Sequence, residues 1–334
     1  MSSNARATWD LLVIANPVWE TSWLVGEVPP NGATDFDPLE GAIAKIEDGG
    51  GSALNTACAL ACAGRRVVAV GRVGDDAEGH AAVSALERRG IYPWIEIAPG
   101  RTTKRNHVYV GPRGDRGIAF RAFLPPRCAP AWEEAPGEPL TRARILLLDR
   151  LAAGAPGWLR ARPRPDFVNA FNRNSPPFRG PAAIRFREAL PLLDSIQLSE
   201  GEDATPHPAD ARPPAPPDPA TREAIHSPPD PGPLPAAEID AILRAGVRFL
   251  VRTRGARGVI VHSPGLEPVE IPATPTLVVD STGAGDAFAA GFLDGLLDGA
   301  QVVDAARRGV DWGARACRHL GARGWLDREP PEKR

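Results

Sequence analysis

The chain has 334 residues, of which 43% are hydrophobic, and a net charge of −2. This length allows one large α/β domain or two ordinary ones. The sequence has no apolar run near the roughly 20 residues that cross a bilayer, no basic block typical of nucleic-acid binding and no secretory leader at its start, so we expect a cytoplasmic protein without membrane or nucleic-acid partners.

The first third of the chain alternates strand-like and helix-like segments. "DLLVIA" (10–15) and "RVVAVGRVG" (66–74) read as strands, whereas "SALNTACALACAG" (52–64) and "AEGHAAVSALERRG" (77–90) read as helices. This βαβ rhythm predicts a parallel sheet with helices on its faces. Cys58 and Cys62 are four residues apart on one predicted helix face, which favours core packing over a metal site.

Two stretches interrupt this rhythm. They run from Trp19 to Ile46 and from Tyr92 to Phe123, where "IYPWIEIA", "NHVYV" and "GIAFRAF" resemble strands without helices between them. Strands without crossover helices imply antiparallel pairing. We therefore predict a small β-rich lid beside the main sheet.

The second half of the chain contains a proline-rich interruption. "RILLLD" (144–149) and "PDFVNAF" (165–171) continue the predicted sheet, but residues 203–235 carry so many prolines that neither helix nor central strand can persist. We expect a flexible surface insertion, with a partner-binding polyproline segment as the alternative. A helix, two strands about a turn and a helical pair then complete one predicted domain over 1–334.

The stretch "DSTGAGDAFAAGF" (280–292) carries the strongest chemical signal. Its small residues let the backbone approach a ligand, and the free N–H groups of a helix start attract anions. Asp286 at this helix start fits a general base that takes a proton from an attacking hydroxyl. It equally fits an acidic residue that only favours the helix dipole. The residues alone leave both interpretations open.

Two motifs together resemble a known family. "DSTGAGDAFAAGFL" is similar to the C-terminal signature of the ribokinase-like (PfkB-type) carbohydrate kinases, and residues 49–79, with a double glycine, Asn55 and "VGDDAEG", resemble its N-terminal signature. The resemblance implies an α/β three-layer sandwich with a central, mainly parallel sheet. It also implies transfer of a phosphoryl group from ATP, with Mg²⁺, to a hydroxyl of a small sugar or nucleoside.

The same resemblance assigns roles to individual residues. It makes Asp286 the catalytic base and Glu202 a magnesium ligand. For Asn55, a helix-start cap is the alternative. The remaining assignments are anion-hole amides at Gly283, Ala284 and Gly285, substrate contacts at Glu20, Gly50, Gly51 and Asn55, and ATP contacts at Thr253, Gly255 and Gly258.

The sequence departs from the family pattern at three positions. Glu20 stands where the family usually has Asp, Ser199 where it has Asn, and Ala170 where it has Asp, although Asn172 is retained. The longer Glu20 predicts a different or smaller ligand, and the loss of Asn at 199 predicts magnesium held mainly through water.

The sequence leaves three functions open. The first is a sugar kinase, the second an adenosine-kinase-like nucleoside kinase, since "ANPVWE" resembles the "GNPLLD" opening of those enzymes, and the third a non-catalytic regulatory protein that binds a sugar or nucleotide. The resemblance also allows a monovalent cation, K⁺, near 280–282 and a homodimer formed through the lid.

Overall fold

Two β-sheets flanked by helices form the described part of the chain. The computed structural model describes residues 9–29, 42–114, 116–120, 143–149, 159–160, 167–171, 186–199, 224–226 and 234–333. Its strands are β1 (Trp9–Ile14), β2 (Val18–Val25), β3 (Ala42–Gly50), β4 (Val67–Gly74), β5 (Tyr92–Ala98), β6 (Lys104–Val110), β7 (Arg116–Phe120), β8 (Ala143–Leu148), β9 (Phe167–Phe171), β10 (Ser195–Ser199), β11 (Ala224–His226), β12 (Phe249–Thr253), β13 (Val259–His262) and β14 (Val269–Ile271). Its principal helices are α1 (Ser52–Cys62), α2 (Ala77–Arg88), α3 (Ala236–Arg244), α4 (Ala284–Leu297) and α5 (Val302–Ala316).

The larger sheet has the order β14-β13-β12-β10-β9-β8-β1-β4-β5. The strands from β12 to β5 pair in parallel, and only β13 and β14 pair antiparallel. Leu11 and Val13 of β1 enter a core with α1, α4 and α5, while Leu12 and Ile14 enter a second core with α3. This alternation buries both faces of the strand. The predicted parallel sheet with helices on both faces is confirmed.

The order of the strands reverses around β1. The chain continues from β1 through β4 and β5 on one side, and through β8, β9 and β10 on the other. Ligands of open α/β sheets bind outside the carboxyl ends of the strands at such a point. The segments that follow β1, β8, β10 and β12 therefore define the edge where a site is expected.

The second sheet has the order β11-β7-β6-β2-β3. It is mixed, because β2 pairs antiparallel with β3 but parallel with β6. The prediction that the lid's second segment begins at Tyr92 is wrong, since β5 pairs in parallel with β4 and belongs to the larger sheet. The physical reason is that α2 acts as the crossover helix of a β4-α2-β5 unit. The role of the second sheet as a lid stays a prediction.

The proline-rich stretch lies mainly outside the described residues. Within it, β11 pairs antiparallel with β7 at the edge of the second sheet. An edge is where a proline-rich neighbourhood is tolerated, because one side of the strand needs no ladder hydrogen bonds.

Asp76 joins the start of α2 to the start of β6. Its carboxylate accepts the N–H of Gly79 (2.8 Å), the N–H of Thr103 (2.7 Å) and the hydroxyl of Thr103 (2.6 Å). Burial alone would raise the pKa of Asp76, but these hydrogen bonds outweigh it and the pKa is lowered. The "VGDDAEG" segment therefore fastens the larger sheet to the second one.

We expect Asp76→Ala to lower the free energy of unfolding by about 1–2 kcal/mol at pH 7, because the helix loses its cap. A lowered pKa means that the ionised carboxylate stabilises the fold above the unfolded-state pKa of about 3.9, and that this contribution is lost as the pH falls through the lower folded value. Urea unfolding of the wild type and the variant at several pH values measures the difference in unfolding free energy and its dependence on pH. Asp75→Ala, at an exposed neighbour, is the control, and an equal loss in both variants would contradict the capping role.

Candidate active site

The loop before α4 is fixed by close packing at Gly283 and by the side chain of Asp280. Gly283 precedes the helix with φ +80°, and a Cβ there would lie 2.7 Å from Cα of Ala322. Asp280 is fully buried, and its two carboxylate oxygens accept the N–H groups of Thr282 and Gly321, each at 2.8 Å. The loop before α4 is thereby tied to the loop at 321.

The predicted anion-hole residues lie at this loop. Gly283 is the residue before the helix, and Ala284 and Gly285 begin it. The Ala284 amide donates to the Ser281 carbonyl at 3.2 Å, so an anion would have to share or replace that bond. The first N–H groups of a helix have no partner within it, which leaves this turn suited to an anion.

Asp286 lies in the first turn of α4 and is only 3% exposed. Asn55 Nδ2 donates to its Oδ2 at 2.7 Å, and the Ser52 hydroxyl donates to its Oδ1. The Thr56 hydroxyl donates to its backbone carbonyl at 3.0 Å. Because burying a carboxylate is costly unless it is hydrogen-bonded, a dipole effect alone does not explain this position. Each oxygen keeps a lone pair with which to accept a substrate proton.

Asn55 is not the cap of α1. The helix begins after Gly51, which has φ +104° and provides no side-chain cap, and the Asn55 N–H donates to the Gly51 carbonyl at 2.7 Å. Asn55 is thus one turn inside the helix, and the alternative of a helix-start cap is wrong. The Ala53 N–H instead donates to Asp149, at the end of β8, at 3.4 Å.

Arg323 is a site residue that the sequence did not single out. Its side chain is nearly fully buried, its Nε donates to Asn55 Oδ1 at 2.8 Å, and its Nη2 donates to the Gly50 carbonyl at 3.4 Å. Its Nη1 lies 3.9 Å from Asp48 Oδ1. A Cβ on Gly49 would lie 2.7 Å from this Nη1, so the guanidinium needs a glycine there.

The second sheet brings Glu20 to the glycine turn. A Cβ on Gly50 would lie 3.1 Å from the Glu20 Cβ and 3.2 Å from its Oε2, so Gly50 leaves room for this side chain. In the strand register Glu20 lies between Asp48 on β3 and Asn106 on β6. Asn106 is a second polar residue near the predicted substrate position that the sequence did not reveal.

The predicted ATP turn follows β12. Gly255 and Gly258 have φ of +53° and +85°, and a Cβ on Gly258 would lie 2.1 Å from the Ile271 carbonyl oxygen. The Thr253 hydroxyl donates to the Leu198 carbonyl of β10 at 3.3 Å. Gln197, on the same strand, donates to the Gly285 carbonyl at 3.0 Å. One strand thus supports both this turn and the start of α4.

Part of the predicted metal site is not described. Glu202 and Asn172 lie outside the described residues, and of Ala170 only the backbone, in β9, is described. Ser199 ends β10 and pairs with Thr253. The described ranges contain no group of three or more His, Cys, Asp or Glu side chains arranged to hold a metal ion.

Two further expectations concern cysteines and membranes. Burial raises the pKa of the Cys58 and Cys62 thiols, and Cys58 lies in the core, as the predicted packing requires. Over the residues that the structure describes, every helix is too short or too polar to cross a bilayer.

A family model supports the sequence resemblance. The model of the pfkB family carbohydrate kinases matches residues 47–147 and 232–328, together more than half of the chain. The matched ranges include α1, α4 and the turn after β12. They therefore contain Asn55, Asp286 and Arg323.

Curated relatives match over different lengths. A cytidine kinase of Thermococcus kodakarensis is 40% identical over 67 residues, which are 20% of this chain and 24% of that protein. A 2-dehydro-3-deoxygluconokinase of Dickeya dadantii is 38% identical over 91 residues, 25% of this chain and 29% of that protein. A fructokinase of Klebsiella pneumoniae is 26% identical over 82% of this chain and 83% of its own. The chain thus matches less than a third of the length of the first two.

Solved structures share the fold. A microbiome-derived acarbose kinase superposes with a TM-score of 0.70 at 20% identity, over 94% of both chains. A ribokinase of Arabidopsis thaliana, complexed with ribose and ATP, gives 0.66 at 18% identity, over 97% of this chain and 96% of that one. The expected ribokinase-like fold is confirmed.

We expect Gly283→Ala to destabilise the protein more than Gly299→Ala. Both glycines have φ +80°, but a Cβ on Gly299 meets nothing within 4 Å, whereas one on Gly283 meets Ala322. Gly299→Ala should cost about 1 kcal/mol for backbone strain, and Gly283→Ala a further ~1–3 kcal/mol for overpacking. Denaturant unfolding of both variants measures the difference. Equal losses of unfolding free energy would show that the loop around Ala322 moves aside without cost.

Proposed function

The chain belongs to the pfkB family of carbohydrate kinases, and we propose that it transfers the γ-phosphoryl group of ATP to a hydroxyl of a small sugar or sugar-like substrate. The observation that carries this proposal is the buried Asp286 carboxylate, held by Ser52 and Asn55 in the first turn of α4. This position places a proton acceptor at a helix start that attracts anions.

In the proposed reaction Asp286 takes the proton of the attacking hydroxyl. The hydroxyl oxygen forms a bond to the γ-phosphorus, the bond from that phosphorus to the bridging oxygen breaks, and ADP leaves with the bonding electron pair. Amides at Gly283, Ala284 and Gly285 stabilise the charge on the transferred group. Closure of the second sheet over the substrate would exclude water.

The polar groups near Asp286 favour a neutral polyhydroxyl substrate. Glu20 offers carboxylate oxygens to sugar hydroxyls, and Asn55 keeps one amide hydrogen beyond the one given to Asp286. Because Gly50 and Gly51 have no side chains, a substrate can approach the backbone beside Glu20 and Asn55. With Glu20 and Asp286 both in contact with the substrate, as proposed, charge repulsion would disfavour an anionic one.

The predicted ligands fit the described residues to different degrees. The turn with Thr253, Gly255 and Gly258 offers backbone without side chains, as close approach of ATP requires. Glu202 would hold Mg²⁺ mainly through water, with the nucleotide phosphates as further ligands. Because both oxygens of Asp280 accept backbone N–H groups, a K⁺ ion near 280–282 would depend mainly on backbone carbonyls.

The second candidate is a nucleoside kinase. It is favoured by the local similarity to a cytidine kinase and by the "ANPVWE" segment. The third candidate, a binding protein without useful catalysis, is favoured by Ser199 and Ala170 at positions where the family has other residues. ATP consumption with Mg²⁺ and K⁺, measured across ribose, fructose, polyols and nucleosides, separates the three.

We expect Asp286→Asn to lower kcat by at least ~10²-fold, because general-base catalysis contributes about that much or more. Substrate binding should stay near the wild-type level, since the amide keeps the shape and the bond to Asn55 can re-form. Coupled measurement of ADP release, with calorimetry for binding, tests both statements. Asp304→Asn, at an exposed residue of α5, is the control.

Two results would contradict the proposal. Wild-type-like turnover in Asp286→Asn would exclude Asp286 as the base. Binding of a sugar or nucleotide without ATP consumption across the whole panel would favour the regulatory protein.

A further inference from the structure

We propose that Arg323 is a positioning residue for Asp286, because its guanidinium fixes the Asn55 carboxamide with the amino group facing the carboxylate. The inference rests on the proposed function for its kinetic consequence. Its structural basis is the chain of contacts from Arg323 Nε to Asn55 Oδ1 (2.8 Å) and from Asn55 Nδ2 to Asp286 Oδ2 (2.7 Å).

The orientation of the carboxamide follows from chemistry. An arginine side chain can only donate hydrogen bonds, and an ionised carboxylate can only accept them. Asn55 lies between the two, so only one of its two orientations satisfies both neighbours. Without the guanidinium only Asp286 selects the orientation, and the rotated form, in which the carbonyl oxygen faces the Asp286 carboxylate and repels it, is excluded less strongly.

Arg323 is itself enclosed by the protein. It is 3% exposed, and it contacts the Gly50 carbonyl and the Asp48 carboxylate. The absent side chain of Gly49 makes space for Nη1. The adjoining loop is tied to the loop before α4 through the bond from the Gly321 N–H to Asp280. A buried donor in this position favours one carboxamide orientation, because the guanidinium can only donate.

The competing interpretation is that Arg323 only braces β3. Arg89 provides a matched control, because its guanidinium also binds Asp48, at 2.9 Å, and binds Asp327, at 3.0 Å. These bonds from Arg89 go to Asp48 and Asp327, and none of them reaches Asn55. Loss of bracing alone should therefore affect Arg89→Met and Arg323→Met in similar ways.

The kinetic test compares Arg323→Met with Arg89→Met. We expect Arg323→Met to lower kcat by roughly 10- to 100-fold, as the loss of one charged hydrogen bond implies, with KM for the acceptor changed by less than about threefold. Arg89→Met should change kcat by less than about threefold relative to the wild type. In an Asn55→Ala background, Arg323→Met should add no further loss, because the group it orients is absent.

A second test does not require turnover. The chain has eight asparagines, so a sample labelled with ¹⁵N-asparagine gives few side-chain amide signals in the NMR spectrum, and Asn55→Ala identifies the Asn55 pair by its loss. In the wild type we expect this pair to exchange slowly with solvent. In Arg323→Met we expect it to shift and broaden or exchange faster, but to stay unchanged in Arg89→Met.

The outcomes separate this inference from the proposed function. If the Asn55 signals respond to Arg323→Met but the wild type transfers no phosphoryl group, the positioning holds and the proposed function fails. Unchanged Asn55 signals in folded Arg323→Met would overturn the positioning. So would an equal fall of kcat in Arg323→Met and Arg89→Met, or a full further loss in the Asn55→Ala background.

Discussion

The buried carboxylate of Asp286 is the constraint on which the rest of the site depends. An ionised group in the interior is tolerated only with hydrogen-bond donors around it, and here the donors come from Ser52 and Asn55 of α1. Asn55 is 231 residues away in the chain. The two sequence signatures are therefore two halves of one hydrogen-bond network, and neither half forms the site alone.

The glycines of these signatures make space for particular groups. Gly49 leaves room for the Arg323 guanidinium, Gly50 for the Glu20 side chain, and Gly283 for Ala322. Close approach to a ligand explains small residues in a phosphate loop in general, but here packing inside the protein already requires them at these three positions. A substitution at any of them would first disturb a neighbour and only then a bound molecule.

Sequence patterns predicted the features that depend on local periodicity. The alternation of strands and helices indicated the parallel sheet, because the buried faces of β1 and α1 leave a clear pattern. The same patterns misplaced β5, since no helix-like segment separates it from β6 and β7 in the sequence, whereas its pairing partner is β4. Arg323 was missed because its partner Asn55 is 268 residues distant, and no local pattern records such a contact. Residues 200–223, with Glu202, lie outside the described part and leave that prediction as it was.

The division between the two sheets also bears on Glu20, which the sequence resemblance aligns with a shorter Asp. The Glu20 side chain lies beside Gly50, where a Cβ would approach the Glu20 Cβ to 3.1 Å and its Oε2 to 3.2 Å. Asn55 and Asp286, by contrast, are held from the core side by α1 and α4. Under the proposed function, groups on β2 and β6 would therefore vary with the substrate, while the carboxylate proposed to take the proton is fixed by the packing of α1 against α4. Selection for a new acceptor would act on the second sheet and leave the proton-transfer geometry unchanged.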